Sequence, residues 1–309
     1  MLLAAGGVHA GRSAGSAALI ISKLPVGVRA AGLSGAYTAA ADDISSINWN
    51  PAGLAKVGRT GFSVVHVEQG QQVRMENALW GRPTIMGGTV AASGSYLSMP
   101  ELVESLEDSA GNYVGEGDTF SAYQFKGSVG YGQDLGKLFS VPALGPLWQD
   151  GMAGIAVGVL GEGIEQERNS SFSVSLGYLF NDGSGGRTAG VALSNLGAPA
   201  GGSPLPMSMQ AGLSQRIEDW LLAFDFLTGA DDAFRVRSGI EWSYTEGDAV
   251  VVLRGGAQHS FSSILAARIS AGISYRLNCE GGLMFAVDYA FLPVDDFEDM
   301  HAFAVEIAL

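Results

Sequence analysis

Several residues have the types that catalysis requires, but their spacing does not fit an active site. The four histidines lack the spacing of metal ligands and lie at His9, His66, His259 and His301. The segment GYGQDLGKL at 130–138 comes nearest to a phosphate loop, but its glycine spacing is wrong and Leu138 replaces the magnesium-binding Ser or Thr. Ser34 is not in a nucleophile elbow, and Cys279 has no histidine near it in sequence. We therefore predict no enzymatic activity, no metal and no cofactor.

The densest motif of the chain lies at 26–55 and reads VGVRAAGLSGAYTAAADDISSINWNPAGLA. Its glycines allow close backbone approach and its alanines keep it slim, so such a segment fits inside a barrel as a hatch. Asp42 or Asp43 is placed to cap a short helix through Ile44 to Asn48, and Pro51 should break it. The motif residues are Arg29, Gly35, Asp42, Asp43, Trp49, Asn50, Pro51, Ala52 and Gly53. We expect them to fix the fold of the hatch rather than to contact a ligand.

A second set of charged residues lies on the small or polar face of predicted strands. These residues are Arg235, Arg237, Glu241, Arg268, Arg276, Asp288 and Glu306. They could bind a ligand, or they could pair with one another and with Arg29, Asp42 and Asp43. Because charges in a low-dielectric lumen must be compensated, we predict pairing.

Composition limits the classes of protein that fit. The net charge of −14 argues against nucleic-acid binding. No window approaches the ~20 apolar residues of a membrane-spanning helix, so the chain can cross a membrane only as a closed barrel. The first ten residues, MLLAAGGVHA, resemble the end of a secretory signal, with cleavage expected near Ala10.

From about Gly61 onward the sequence alternates with a period of two, which predicts strands. In the segment from Leu265 to Leu277, the odd positions are apolar or alanine and the even positions are Ala, Arg, Ser or Gly. In a soluble sandwich the second face would be rich in Lys, Glu and Thr. Small and polar residues there instead favour a crowded lumen behind a lipid-facing wall.

The turn signals divide this region into about fourteen strands, an even number as bacterial outer-membrane barrels have. The expected starts are Gly61, Gln72, Ile85, Thr119, Met152, Ser171, Arg187, Leu205, Trp220, Phe234, Asp248, Ser263, Gly282 and Met300. We thus predict an all-β fold: a signal remnant at 1–10, a hatch at 11–58 and a closed antiparallel transmembrane barrel at 59–309. A short helix is expected at PELVESLED in the connection 100–118, and the connection 134–150 is expected on the periplasmic side.

The motif at 26–55 resembles the N-terminal signature of the PorV/PorQ family of outer-membrane proteins, a branch of the FadL-like barrels. Later segments resemble the family in order: SNLG at 194–197, LPMSMQAGLS at 205–214, GIEW at 239–242, LRGGAQ at 253–258 and DYAFLP at 288–293. The resemblance implies a fourteen-stranded barrel with an internal hatch, in the cell outer membrane.

The family has two working styles, and both are open for this chain. The PorV type implies a component of type IX secretion or surface assembly, with secreted or envelope proteins as partners. The FadL type implies a passive channel for hydrophobic ligands, whose Asn-Pro-Ala box corresponds to Asn50, Pro51 and Ala52. A third alternative is a structural subunit of a larger envelope complex. We expect secretion or surface assembly in a setting of outer-membrane lipid.

One structural feature would separate the first two alternatives. An apolar pocket beside the kink at Asn50 to Gly53 would favour the channel. A lumen sealed by ion pairs, with exposed apolar loop tips at Phe291, Leu292 and Pro293, would favour protein binding.

Overall fold

The computed structural model describes residues 19–70, 73–138, 145–182, 186–229, 232–261, 267–293 and 299–309. The predicted signal remnant at 1–10 and the start of the predicted hatch, up to residue 18, lie outside the described residues. Among the helices that are described, none is long and apolar enough to cross a membrane.

In the described part of the chain, sixteen strands follow the N-terminal segment. They are β1 (Gly61–Gln69), β2 (Val73–Pro83), β3 (Thr89–Ser98), β4 (Leu102–Glu107), β5 (Tyr113–Phe120), β6 (Ala122–Asp134), β7 (Gly151–Ile164), β8 (Glu167–Asn181), β9 (Arg187–Gly197), β10 (Ser208–Ile217), β11 (Trp220–Gly229), β12 (Asp232–Glu246), β13 (Ala249–Ser260), β14 (Ala267–Asn278), β15 (Met284–Leu292) and β16 (Met300–Ala308). Fourteen of them form a closed antiparallel barrel, in which β1 pairs with β16 and β3 pairs with β6. The predicted fold class and number of strands are therefore confirmed.

The remaining two strands form a hairpin outside the barrel sheet. β4 and β5 pair with each other across the connection between β3 and β6, so the helix expected at PELVESLED is wrong. The Asp108 carboxylate accepts hydrogen bonds from the N–H groups of Ala110 and Asn112, at 2.8 and 3.0 Å, and closes the turn. Hydrogen bonds from the Asn112 backbone and side chain, and then from Ala110, lower the pKa of Asp108. This turn brings the two strands into register, and strand pairing prevails over local helical spacing.

On the strands, the large apolar positions mostly face outward and the small or polar positions mostly face the lumen, as the sequence predicts. On β16, Phe303, Val305 and Ile307 are exposed on the outer face, whereas Ala302 and Ala304 are buried toward the lumen. Large apolar side chains cover the outside around the barrel, and small or polar ones line much of the inside. Val65 on β1 and Leu79 on β2 are among the larger apolar residues that also face the lumen.

The barrel has two distinct ends. The terminal end carries Leu309 and the short turns that follow β10, β12 and β14. The connection after β6 is at the same end and contains two short helices, α2 (Leu135–Leu138) and α3 (Pro146–Gln149). The loop end is the opposite one and carries the β4–β5 hairpin.

The segment from residue 19 to residue 58, here called the hatch, fills the lumen. It contains one α-helix, α1 (Val28–Gly32), and three 3-10 helices at Ile20–Ser22, Ile44–Asn48 and Pro51–Lys56. Asp43 caps the second 3-10 helix by accepting a hydrogen bond from Ser45 N at 2.8 Å. Asn50 caps the third by accepting one from Ala52 N at 3.2 Å.

Glycines on the inner wall allow the hatch backbone to lie directly against the strands. A methyl group on Gly177 of β8 would lie 2.0 Å from Asn50 Oδ1, and one on Gly154 of β7 would lie 2.2 Å from the Pro51 carbonyl carbon. On β13, a methyl group on Gly256 would lie 2.3 Å from the Leu33 carbonyl carbon. Since real Cβ atoms do not approach so closely, these three positions require glycine while the hatch is seated.

Substitution of these glycines should unseat the hatch. We expect Gly177→Ala to lower the free energy of unfolding by about 1–3 kcal/mol, the usual penalty of overpacking. Gly94→Ala is the matched control, because Gly94 lies in β3 and has no atom within 4 Å of the added methyl group. Thermal unfolding in detergent, together with protease cleavage of the hatch, measures the effect. Equal behaviour of the two variants would contradict the tight packing described above.

Candidate functional site

The centre of the hatch is a small buried core. Tyr37 is completely buried, and its ring meets Trp49 edge to face with 6.0 Å between centroids. The Tyr37 hydroxyl donates to Asp43 Oδ2 at 2.5 Å, and Trp49 Nε1 donates to Val26 O at 2.6 Å. These bonds tie the two halves of the hatch to each other, so it folds as a unit within the lumen.

The kink that follows is held against the wall. Asn50 Nδ2 donates to Thr38 O at 2.8 Å and to Tyr178 O of β8 at 3.4 Å. A methyl group on Gly53 would lie 2.7 Å from Ala41 O. Asn50, Ala52 and Gly53 are buried. The contacts of Asn50 and Gly53 are with other hatch residues and with the barrel wall.

An ion-pair network joins the hatch to the barrel. Arg29 of α1 donates from Nε to Glu241 Oε2 of β12 at 2.8 Å, and it also pairs with Asp42 and, at 3.5 Å, with Asp43. Arg254 of β13 donates from Nε to the same Glu241 oxygen at 2.8 Å. The two guanidinium groups thus share one buried carboxylate, and Arg29 brings the hatch into that arrangement.

The network extends along the wall to β15. Arg254 Nη1 pairs with Asp288 Oδ1 at 3.2 Å and donates to the Ser274 hydroxyl, which in turn contacts Asp288. The Arg254 side chain is 1% exposed. Because water scarcely reaches it, these partners compensate its charge.

Asp225 of β11 fixes the hatch backbone at a second point. Its Oδ2 accepts hydrogen bonds from Tyr37 N at 2.9 Å and Thr38 N at 2.7 Å. Asp225 is fully buried. A single carboxylate thereby satisfies two backbone donors that would otherwise be left unpaired in the lumen.

Arg237 of β12 contacts the hatch at Gly35 and Trp49. Its Nη1 donates to Gly35 O at 3.3 Å, its Nε donates to Gln258 Oε1 at 2.9 Å, and its guanidinium lies 5.9 Å from the Trp49 ring centroid. Gly35 has φ +77°, and a methyl group there would lie 3.0 Å from the Arg237 guanidinium. Glycine at position 35 therefore allows both the positive φ of the turn and the close approach of the Arg237 guanidinium.

The other predicted lumen charges lie in different places. Arg276 and Glu306 line a cavity at the terminal end, and Arg235 lines a cavity toward the loop end. Arg268 lies on β14 and is half-buried. The structure thus joins Glu241, Asp288, Asp42 and Asp43 with Arg29 in one network. Arg276 and Glu306 line the same terminal-end cavity as these residues.

Arg254 and Asp225 are central to the site, but the sequence interpretation did not include them. Arg254 lies in LRGGAQ, a segment noted only for its resemblance. Asp225 is the one charged residue in WLLAFDFLTG. An isolated charge in an apolar strand is the signal that could have identified it.

Two cavities remain on either side of the hatch. The terminal-end cavity has a volume of about 410 Å³ and is lined by both hatch and wall. The loop-end cavity is much smaller, about 70 Å³, and is lined by residues that include Lys126, Arg235 and Arg237. The hatch residues Leu33, Ala36 and Tyr37 line neither cavity and are completely buried.

The features chosen to separate channel from protein binding give a mixed result. Neither cavity is lined by Asn50, Pro51, Ala52 or Gly53, so the expected apolar pocket beside the kink is not found among the described residues. Ion pairs join the hatch to the wall, but Phe291, Leu292 and Pro293 are half-buried rather than exposed.

Comparisons of the sequence with known proteins give one match. The model of an uncharacterised protein family, UPF0164, matches residues 6–136. A search of curated proteins found no match. The PorV/PorQ resemblance drawn from the sequence has no counterpart among these results.

Solved structures of outer-membrane channels resemble the whole barrel. A TodX monoaromatic hydrocarbon channel mutant superposes with a TM-score of 0.63 at 8% identity, covering 92% of this chain and 98% of that chain. The Pseudomonas putida toluene transporter TodX gives 0.57 at 8% identity, with 90% and 96% covered. A Pseudomonas aeruginosa FadL homologue gives 0.56 at 8% identity, with 92% and 98% covered. At this identity the likeness shows the fold alone, a closed antiparallel β-barrel similar to those of TodX and the FadL homologue.

Removal of Arg254 should be far more damaging than removal of a surface arginine. Arg254→Met leaves Glu241 and Asp288 without this partner, and loss of one member of a buried pair typically costs about 3–5 kcal/mol. Arg74→Met is the control, because Arg74 pairs with Glu68 at 3.4 Å on the surface, where about 0–1 kcal/mol is expected. Denaturant unfolding in detergent compares the two. A loss of less than about 1 kcal/mol for Arg254→Met would contradict the network's role.

Proposed function

We propose that this chain is an outer-membrane channel for small hydrophobic molecules, without enzymatic activity, in which the hatch is the gate. The observation that carries the proposal is the position of the hatch between two cavities that face opposite ends of the barrel. The contacts between hatch and wall are ion pairs, hydrogen bonds and close packing, all of which are reversible. Displacement of the hatch would connect the cavities through the lumen.

The lining of the cavities is compatible with such a molecule. Val65, Leu79 and Val252 face the terminal-end cavity, and Leu24 and Leu227 face the loop-end cavity. The TodX structures are of a monoaromatic hydrocarbon channel, and their fold extends over nearly all of this chain. These points support a hydrophobic solute, although charged groups line the same cavities.

A disulfide between hatch and wall tests the gate directly. Ser34 Oγ of the hatch lies 2.8 Å from Ser270 Oγ of β14, so Ser34→Cys with Ser270→Cys should form a bridge. In a Cys279→Ser background, we expect the oxidised protein to block uptake of radiolabelled toluene by Gram-negative host cells and reduction to restore it.

The matched control links wall to wall. Ser93 of β3 lies opposite Ser128 of β6, so Ser93→Cys with Ser128→Cys should not hold the hatch to the wall. Uptake that is unchanged by the Ser34–Ser270 bridge, or that never exceeds the rate of host cells without the protein, would refute the gated channel.

A second candidate function is a component of protein secretion or surface assembly, of the type IX kind. The β4–β5 hairpin favours it, because Tyr113 and Val114 are 66% and 60% exposed at the loop end. Exposed apolar residues on a hairpin outside the barrel sheet offer a surface for a protein partner. A lumen filled by the hatch also fits a protein that works through its surface.

Gentle detergent isolation from the native outer membrane, followed by mass spectrometry, tests this second candidate. We expect a secreted or envelope protein to copurify with the wild type, and to be lost when residues 101–121 are replaced by a Gly–Ser linker. Substitution of the Thr84–Gly88 turn at the terminal end is the control and should retain the partner. Absence of a stoichiometric partner, or its retention without the hairpin, would rule the hairpin out as the docking surface.

A further inference from the structure

The charged side chains around the terminal-end cavity fall into two groups. In the first group, each charge is compensated by a direct partner: Arg29 and Arg254 share Glu241, and Arg254 also holds Asp288. These residues form the ion-pair network that joins the hatch to the barrel. Because their charges are compensated by one another, they are not available to bind a solute.

The second group has no ion-pair partner among the described residues and consists of Lys56, Arg59, Arg276 on β14 and Glu306 on β16, of which the last two lie close together on the wall. Both line the cavity, yet within the described part of the chain no ion pair joins them to each other or to another residue. The Nε of Arg276 is buried and has no hydrogen-bond partner. A buried N–H donor without an acceptor is unfavourable, so a ligand that supplied an acceptor to Arg276 would be stabilised here.

The strand register places Arg276 and Glu306 at the same height on the barrel wall. Arg276 lies opposite Ala286 of β15, and Ala286 lies opposite Glu306. Their Cα atoms are therefore separated by two strand spacings, about 10 Å. The side chain between them is only a methyl group, which leaves a shallow floor with a cation on one side and a carboxylate on the other.

We propose that the terminal-end cavity binds a small zwitterion, with its anionic group on Arg276 and its ammonium group on Glu306. A volume of about 410 Å³ lies within the range of ligand pockets, roughly 300–1,000 Å³. A zwitterion compensates both of these charges at once, whereas a simple anion or cation compensates one. This site is independent of the hydrophobic channel proposed above, since it requires binding at equilibrium and no movement of the hatch.

Isothermal titration of the full chain in detergent tests the site with defined probes. We expect 6-aminohexanoate to bind at least about tenfold more tightly than hexanoate or hexylamine, because each of these lacks one charge-assisted contact. Comparison with 4-aminobutanoate and 8-aminooctanoate reports the separation of the two groups. Equal binding of hexanoate would reduce the site to an anion site and overturn the proposal, as would absence of binding by all three ω-amino acids.

Variants assign the binding to the two residues. Arg276→Gln and Glu306→Gln should each weaken binding of the best ω-amino acid at least about tenfold, whereas Arg74→Gln on the outer surface should not change it. The double variant Arg276→Glu with Glu306→Arg reverses the polarity and should retain binding, since a zwitterion can turn around. It also keeps the proposal testable if a single variant fails to fold. Loss of binding in a folded double variant, or unchanged binding in Glu306→Gln, would refute the assignment.

Discussion

A fourteen-stranded barrel encloses more space than the inward-facing side chains of its own strands can fill, and here those side chains are largely Gly, Ala and Ser. The hatch must therefore supply the interior. Its backbone lies against wall glycines such as Gly154, Gly177 and Gly256, with no side chain between. This contact explains both the glycine-rich composition and the alanine-rich hatch, because each surface is small where the other approaches.

Electrostatics determine where that contact is strongest. Arg29 and Arg254 converge on Glu241, and Asp225 receives two backbone N–H groups of the hatch. All of these attachments lie inside the wall, in surroundings with little water, where charged hydrogen bonds are strong only when every partner is present. A few directional interactions, in addition to broad packing, thus hold the hatch inside the barrel.

The barrel could be predicted from the sequence because one face of nearly every strand is small or polar and the other is large and apolar. The same criterion explains what the sequence did not reveal. On β13 the inward face includes Val250 and Val252 beside Arg254, so the two faces resemble each other and the arginine does not stand out. The PELVESLED segment has apolar residues at helical spacing, and only its pairing with β5 makes it a strand.

The pairing of β1 with β16 has a consequence for biogenesis. The hatch directly precedes β1, and Gly61 at the start of β1 lies opposite Ala308 at the end of β16. The last strand of the barrel therefore completes the wall by pairing with the strand that directly follows the hatch. Once this seam has closed, the kink at Asn50 is surrounded on all sides by hydrogen-bonded strands, so the hatch must already be inside. Enclosure of the hatch and closure of the barrel are in this sense a single event.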